Sequence, residues 1–327
     1  MSKSLLTHSR LAAFRSCPRK HRYAYEMGYR ARKQSMALRY GTLFHKCAEA
    51  YWRCRKAGGD ASAALDAAIA AFDANSWTIQ DPYVEVSARA LVLAYCVRWS
   101  QRDVTVLDVE RQFRTPMIHP LGATSEDFEM GGKIDLMLRL EDGRTAVVEH
   151  KTSAMDVSPG SDYITRLAID GQVDQYLLGA ASLGYDASVV VYDIAKKTAL
   201  KPSLATKNPV LKKNGEPRKG TRMLDETPEE YYDRVIADIA ADVDGYLRHV
   251  ELGRTDDQGS SYRFDVWAWG DRILADAGDG ASPRNPDACF RYGSACEYWP
   301  VCSQRARIDD ARLFDLAGAH VELREEE

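Results

Sequence analysis

Thr145-Ala-Val-Val-Glu-His-Lys-Thr152 constrains this chain more than any other stretch. Side chains alternate along a strand, so Val147, Glu149 and Lys151 share one face while Val148 and His150 point to the other. The segment is apolar on both faces until its last turn, as a central strand covered on both sides requires. Polar groups gathered at the end of such a strand mark the usual place for sites in α/β sheets. Phe128–Leu140 reads as the preceding strand, and Glu141-Asp-Gly-Arg144 supplies a turn with an Asp-Gly step, so the two form a β-hairpin. Asp135 falls on the first strand, in Gly131-Gly-Lys-Ile-Asp135. Carboxylates from adjacent strands can hold a hard divalent cation through oxygen, leaving open positions for a phosphate. An ammonium beside that cation eases hydroxide formation and stabilises charge on a pentavalent phosphoryl group.

Around this hairpin the period of the apolar residues predicts helices. Residues 7–27 read as a short helix, with Ser9, Leu11, Phe14 and Tyr23, interrupted by a turn at Cys17–Pro18. Gly41 to about Asn75 reads as one helical stretch, with Leu43, Phe44, Cys47, Tyr51 and Cys54 at three- and four-residue spacings. Another helix is expected over about Pro82–Arg102, then a strand at Val104–Val109. After the hairpin come a helix over about Asp170–Leu183 and a buried strand at Ala187–Tyr192. This order predicts an α/β fold with a mixed sheet. Residues 196–226, with Pro202, Pro209, Gly215, Pro217 and Gly220, form a long loop, and a helix from Thr227-Pro-Glu-Glu to about Val250 follows. Tyr262–Trp269 interleaves aromatics with charge and could stack unpaired bases, but Phe264, Trp267 and Ile273 fit a helical core stripe.

Charge matters here by position. The chain has 44 Lys plus Arg against 48 Asp plus Glu, a net charge of −4. Yet residues 1–40 hold ten Lys or Arg against Glu26 alone, and residues 196–222 hold nine against Glu216. Local field steers a polyanion, so two basic segments are compatible with a nucleic-acid partner despite the acidic total. The Leu323–Glu327 tail reads as solvated. No run of 18 apolar residues is present, so no membrane span is expected, and the N-terminus lacks the apolar region of a secretory signal.

His45, in Gly41-Thr-Leu-Phe-His45, lies on the helix before the hairpin, and Gln172 and Tyr176 lie four apart on one face of the helix after it. These motifs, in that order with Gly-x-Ile-Asp and Glu-x-Lys, resemble the PD-(D/E)XK nuclease superfamily. They are similar to its RecB-like branch, which includes CRISPR-adaptation nucleases and phage exonucleases. The motif-bearing stretch is about residues 41–193, and Ser9–Lys20 and the last cysteines extend the likeness to both ends. The resemblance implies a restriction-endonuclease-like core, a mixed β-sheet flanked by helices. His45, Asp135 and Glu149, with the backbone carbonyl of His150, would ligate Mg²⁺ or Mn²⁺; a histidine ligand favours manganese somewhat. Lys151 would position and activate the attacking water, and Gln172 and Tyr176 would orient the lysine or the nucleic-acid strand. The proline of the superfamily's name is missing before Asp135, a position where this branch dispenses with it.

Cys17, Cys289, Cys296 and Cys302 form the second constellation. Four thiolates suit zinc or an iron–sulfur cluster, and the Cys-x₂₋₄-Cys knuckles that usually open a zinc site are missing. The resembling nucleases bind a 4Fe–4S cluster with one N-terminal and three C-terminal cysteines, so the likeness implies such a cluster here, joining helical N- and C-terminal parts. The spacing Cys-x₆-Cys-x₅-Cys is looser than the commoner family version, and zinc is the alternative. Four segments are expected: a basic arm over 1–40 contributing Cys17, a nuclease core over 41–195, a basic loop and helix over 196–258, and a cysteine-cluster segment over 259–327. Lys212, Lys213 and Lys219 in the loop would contact DNA. The reading is an exonuclease hydrolysing DNA at ends or in single strands, in recombination, repair, phage DNA processing or CRISPR adaptation, with a recombination or CRISPR-adaptation protein as partner. Its expected place is the bacterial cytoplasm, or that of a phage's host. Two rivals are a catalytically silent DNA-binding or assembly module, and a structure-specific endonuclease.

Overall fold

The computed structural model describes residues 3–280, 282–291 and 294–324. Tyr292, Gly293 and Glu325–Glu327 lie outside it, so the expected acidic tail is described only at Leu323 and Arg324, and the cysteine segment without its central Tyr-Gly. The chain opens with strand β1 (Ser4–Leu6), helices α1 (His8–Ser16) and α2 (Pro18–His21), and strand β2 (Tyr29–Ala31). The side chain of Thr7 caps α1 by accepting from the Arg10 N–H, and Pro18 opens α2 where its missing N–H costs nothing.

Three long helices follow: α3 (Met36–Lys56), α4 (Ala61–Asn75) and α5 (Pro82–Ser100). The single helix expected over Gly41–Asn75 is therefore two. Gly58 takes a φ of 90°, a left-handed conformation that favours glycine, and Asp60 caps the new start by accepting from the Ala63 N–H. The sheet strands come next, β3 (Thr105–Ile118), β4 (Thr124–Arg139) and β5 (Thr145–Ser153). β3 runs nine residues beyond the expected Val109 because it lies on the sheet edge, where Pro116 needs no partner for a missing donor. Then come α6 (Asp162–Leu167), α7 (Gly171–Ser182) and β6 (Ala187–Lys196).

Helix α8 (Pro228–Ala241), opened by a Thr227/Glu230 capping box, stops well short of the expected Val250. A short α9 (Val243–Tyr246) leads into strand β7 (Leu247–Gly253), which pairs antiparallel with β6 from Val189–Gly253 to Ala195–Leu247. The open edge of β6 overrides helical patterning there, since pairing satisfies a row of backbone groups that would otherwise stay bare. The long α10 (Asp256–Asp279) carries the aromatic stripe, but Tyr262, Val266 and Ile273 form its buried face, while Phe264 is exposed. The last elements are short: β8 (Phe290–Arg291), β9 (Ser294–Ala295), α11 (Trp299–Cys302) and β10 (Phe314–Leu316).

The six-stranded sheet runs β1-β4-β5-β6-β7, with β3 on the other edge of β4. β1 pairs parallel with β4, β5 is antiparallel to β4, and β5 and β6 run parallel, so the sheet is mixed. On one face Leu136, Leu138, Val148 and Val191 pack against α3, α5 and α8. On the other, Ile134, Met137 and Val147 pack against Tyr176 and Ala180 of α7. Both faces of β5 are covered, and it is buried from Thr145 to His150. One sheet thus takes strands from the 1–40, 41–195 and 196–258 segments alike.

Candidate metal centre in a gap of the sheet

The site lies where the β4 ladder is interrupted. On one edge β4 pairs with β1 from Phe128 to Met130, then with β5 only from Leu136 to Arg139. Between those runs residues 131–135 face no strand. Two side groups fill the opening. Gln175 of α7, fully buried, donates to the carbonyls of Gly131 at 2.8 Å and Leu6 at 2.9 Å, and Tyr262 donates to its Oε1 at 2.8 Å. At the other end the His150 N–H donates to Asp135 Oδ2 at 3.0 Å, so a carboxylate replaces the next rung. Strand divergence therefore converts backbone groups into a pocket with chemistry, because each freed polar group must find a partner.

Alternation places the side chains as the strand pattern requires. Lys151 Nζ lies 2.6 Å from Glu149 Oε1 and donates to Gln172 Oε1 at 2.6 Å, and Gln172 Nε2 donates to Tyr176 Oη at 3.0 Å. These four groups form one chain on the α7 side. His45 Nδ1, from α3, lies 3.5 Å from Asp135 Oδ2. His150 points away from Glu149 to the α5 side, where its Nε2 pairs with Tyr95 Oη at 2.8 Å and lies 3.7 Å from Asp193 Oδ2. Glu49 is taken up by Arg53 at 2.7 Å.

The electrostatics are uneven across the gap. Burial pushes the Asp135 carboxyl up, but His45 and the hydrogen bonds from His150 outweigh it and bring it down to about 2. Burial, and then the charge of Asp135, push Glu149 up to about 8 against the pull of Lys151. Burial also opposes the charge on Lys151, yet Glu149 beside it leaves the ammonium raised above its ordinary value. The second oxygen of Glu149 is buried without a hydrogen-bond partner, and only 3% of that residue is exposed. An orphaned carboxylate oxygen is costly unless something positive completes it.

One residue escaped the sequence reading. Glu110 Oε2 lies 2.5 Å from Lys133 Nζ, and His45, Glu110 and Asp135 each offer a ligand atom within 4.8 Å of the others. Burial, then Asp135, push Glu110 up to about 7. Nothing in Asp108-Val-Glu110 sets it apart from an ordinary strand glutamate; its place depends on the β3–β4 register.

Basic groups flank the centre. A cleft of about 460 Å³ beside Lys151 is lined by Arg15, Arg166 and Tyr163. The basic loop is folded back on itself, with Lys212 N–H donating to Glu216 O and Arg218 N–H to Val210 O. Lys212 pairs with Glu216 at 2.9 Å, whereas Lys213 and Lys219 are exposed and without an ion pair among the described residues. At the chain ends the Asn285 N–H lies 3.4 Å from Cys17 Sγ, and Lys20 pairs with Glu297 at 2.9 Å. Burial raises the Cys302 thiol, followed by the nearby Cys17 and Cys289. Cys296 Sγ instead lies 3.7 Å from Glu297 Oε2, although its N–H donates to the Cys289 carbonyl at 2.7 Å. None of the four is in a disulfide.

The family model of the PD-(D/E)XK nuclease superfamily matches residues 5–303. No curated protein matches the chain. Among solved structures, one described as the crystal structure of SSO0001 aligns over 74% of this chain and 77% of that one at 12% identity. Its TM-score is 0.28, too low to carry an argument.

Proposed function

This chain belongs to the PD-(D/E)XK nuclease superfamily, and from that premise we propose that it is a metal-dependent deoxyribonuclease of the RecB-like iron–sulfur branch, acting as an exonuclease on DNA ends or single strands. One observation carries the reading: Asp135, Glu149, Lys151 and Gln172 converge at the gap in β4, with an unpartnered buried oxygen on Glu149. That donor set fits Mg²⁺ or Mn²⁺. His45, Asp135, Glu149 and the His150 carbonyl would hold the ion. When bound, it would neutralise charge on the phosphate and make water more acidic.

The protein groups have distinct parts in this proposal. Lys151 stays an ammonium between Glu149 and Gln172, so it orients the attacking water and balances phosphate charge rather than taking a proton. Gln172 fixes Lys151, and Tyr176 fixes Gln172. Arg15 and Arg166 in the cleft, and Lys212, Lys213 and Lys219 in the basic loop, would track the DNA backbone. Cys17, Cys289, Cys296 and Cys302 would hold a 4Fe–4S cluster where the chain ends meet. Four thiolates suit that group chemically, and Cys302 feels both Cys17 and Cys289 while Cys296 is tied to Cys289 through the backbone. The four-segment division, the bacterial cytoplasm and a recombination or CRISPR-adaptation partner belong to the same reading.

End-labelled single- and double-stranded DNA with Mn²⁺, alongside a closed circle, tests it. A product ladder from linear DNA with the circle intact is the expected result. Cleavage of the circle would make it an endonuclease, and binding without cleavage by the metal-loaded protein would make it a silent module.

A further inference from the structure

His150 stands between Glu149 and Lys151 in the chain, yet its side chain enters the core on the α5 side of the sheet. The strands there are otherwise apolar, with Val148 on β5 and Leu136 on β4 in the same packed cluster. A fully buried imidazole in such a place is costly unless its ring nitrogens meet polar groups. Both do. Nε2 pairs with Tyr95 Oη at 2.8 Å, and Nδ1 faces Asp135 Oδ2 at 3.6 Å.

The donor inventory fixes which nitrogen carries a proton. The Trp52 indole, from α3, donates to Tyr95 Oη at 2.5 Å, and an indole N–H can only donate. The Tyr95 proton therefore has one partner left, His150 Nε2. Asp193, across from His150 on β6, lies 3.7 Å from the same Nε2 and is itself held by the Trp99 indole at 2.7 Å. A neutral ring protonated on Nε2 alone would strand the Tyr95 proton in the core and set the Nδ1 lone pair against a carboxylate. The other two states of the ring both carry a proton on Nδ1. That N–H, with the His150 backbone N–H at 3.0 Å, addresses Asp135 Oδ2 only. Oδ1 takes no hydrogen bond among the described residues.

We infer that Tyr95 and His150 are positioning residues for the metal centre: the Tyr95 hydroxyl, its oxygen occupied by Trp52, keeps the ring proton on Nδ1, and that proton turns Asp135 Oδ2 inward and leaves Oδ1 for the cation. The chain runs from α3 and α5 through the sheet to the carboxylate. Partners behind a ligand fix its orientation and raise metal affinity. This inference rests on the metal-dependent reading above.

Two measurements on the full chain without DNA test it. Nitrogen-15 resonance of the metal-free protein, with the His150 signal identified by its loss in His150→Gln, should show a proton on Nδ1 in wild type. Tyr95→Phe should shift that proton toward Nε2, where Asp193 draws it, and should weaken Mn²⁺ binding by calorimetry about 10-fold with circular dichroism unchanged. Tyr51→Phe is the control. Its ring lies 6.2 Å from that of Tyr95, so it loses a hydroxyl from the same aromatic cluster without touching the chain, and its Mn²⁺ affinity should stay that of wild type. A wild-type ring protonated on Nε2 alone, a folded Tyr95→Phe with wild-type affinity, or an equal loss in Tyr51→Phe overturns the positioning role and leaves the nuclease reading standing. A folded wild type that binds no Mn²⁺ overturns both.

Discussion

The gap in β4 and the seam between the chain ends both join residues distant in sequence, but they are held by different forces. At the gap, hydrogen-bond register does the work. β4 is anchored on both sides of residues 131–135, and buried Leu136, Val148 and Ile134 fix which way each strand faces. The seam has a two-stranded pairing of β2 with β10, a small core of Ala24, Tyr298 and Phe314, and surface links such as Lys20–Glu297. Exposed ion pairs of that kind contribute little. A site set by a sheet exists before its ligand arrives, whereas on the proposed reading a seam with so small a core would gain stability from whatever its four thiols bind.

That contrast gives the largest expected effect. Asp135→Asn should reduce cleavage by roughly 10³-fold or more, since removing one preorganised charged group at such a centre costs on that order. Its thermal midpoint should fall only modestly, because the sheet still shapes the site although the contacts that hold the Asp135 carboxyl down are lost. Near-wild-type cleavage by that variant would remove Asp135 from the centre; a collapsed midpoint would mean that the gap is not self-supporting.

The seam should show the reverse pattern. Cys296→Ala, purified without oxygen, should lose iron, inorganic sulfide and brown colour together. It should lose about 4 kcal/mol of stability, as expected when a cross-link closing a very long loop is removed. Stripping the metal from wild type with a strong chelator should do the same. Stoichiometric zinc in a colourless protein would keep the staple and change the cofactor, and a metal-free protein of full stability would end the staple.

How far each region could be read from sequence follows the same division. Glu149, Lys151 and Asp135 were legible because a two-residue period carries its own geometry, and Gln172–Tyr176 because a helix brings residues four apart to one face. Glu110 was not, since its position rests on a left-handed backbone and on register across the β3–β4 connection, neither of which leaves a mark in composition. β7 failed for another reason. Val243, Tyr246, Leu247 and Val250 satisfy a helical spacing, and only the open edge of β6, a tertiary fact, decides for a strand. Cysteine clustering pointed to contact between the chain ends, which the Asn285–Cys17 approach provides, but not to Cys296 turning toward Glu297.

Two buried histidines sharpen the comparison through pH. In the gap, burial opposes charge on His150, but Asp135 and Asp193 raise it. Near the seam, burial and then Arg10 push His21 down to about 3, and its Nε2 accepts from Arg10 Nε at 3.1 Å. Between about pH 6.5 and about pH 3 the unfolded chain binds a proton at His21 that the folded chain does not. Stability contributed by neutral His21 is therefore complete above about 6.5 and lost as pH falls, by at most about 1.4 kcal/mol per unit. Thermal midpoints from pH 7 to 4.5 should decline, and His21→Gln should flatten that decline. An equal slope in the variant would assign the acid sensitivity elsewhere.

The smallest effect belongs to the basic loop, which shares neither the gap's register nor the seam's thiols. Salt dependence of DNA binding counts the phosphates that a protein neutralises, about 0.9 per contact on a duplex and 0.7 on a single strand. Lys212 is already paired with Glu216, so its charge is partly spent inside the loop, while Lys213 and Lys219 extend into solvent. Replacing all three lysines with glutamine should therefore lower the slope by about two rather than three. Lys212→Gln alone should lower it by well under one. The centre itself stays intact, so cleavage at saturating DNA should be unchanged while affinity falls. A drop of three would mean that DNA pulls Lys212 off Glu216, and an unchanged slope would leave the loop to a protein partner.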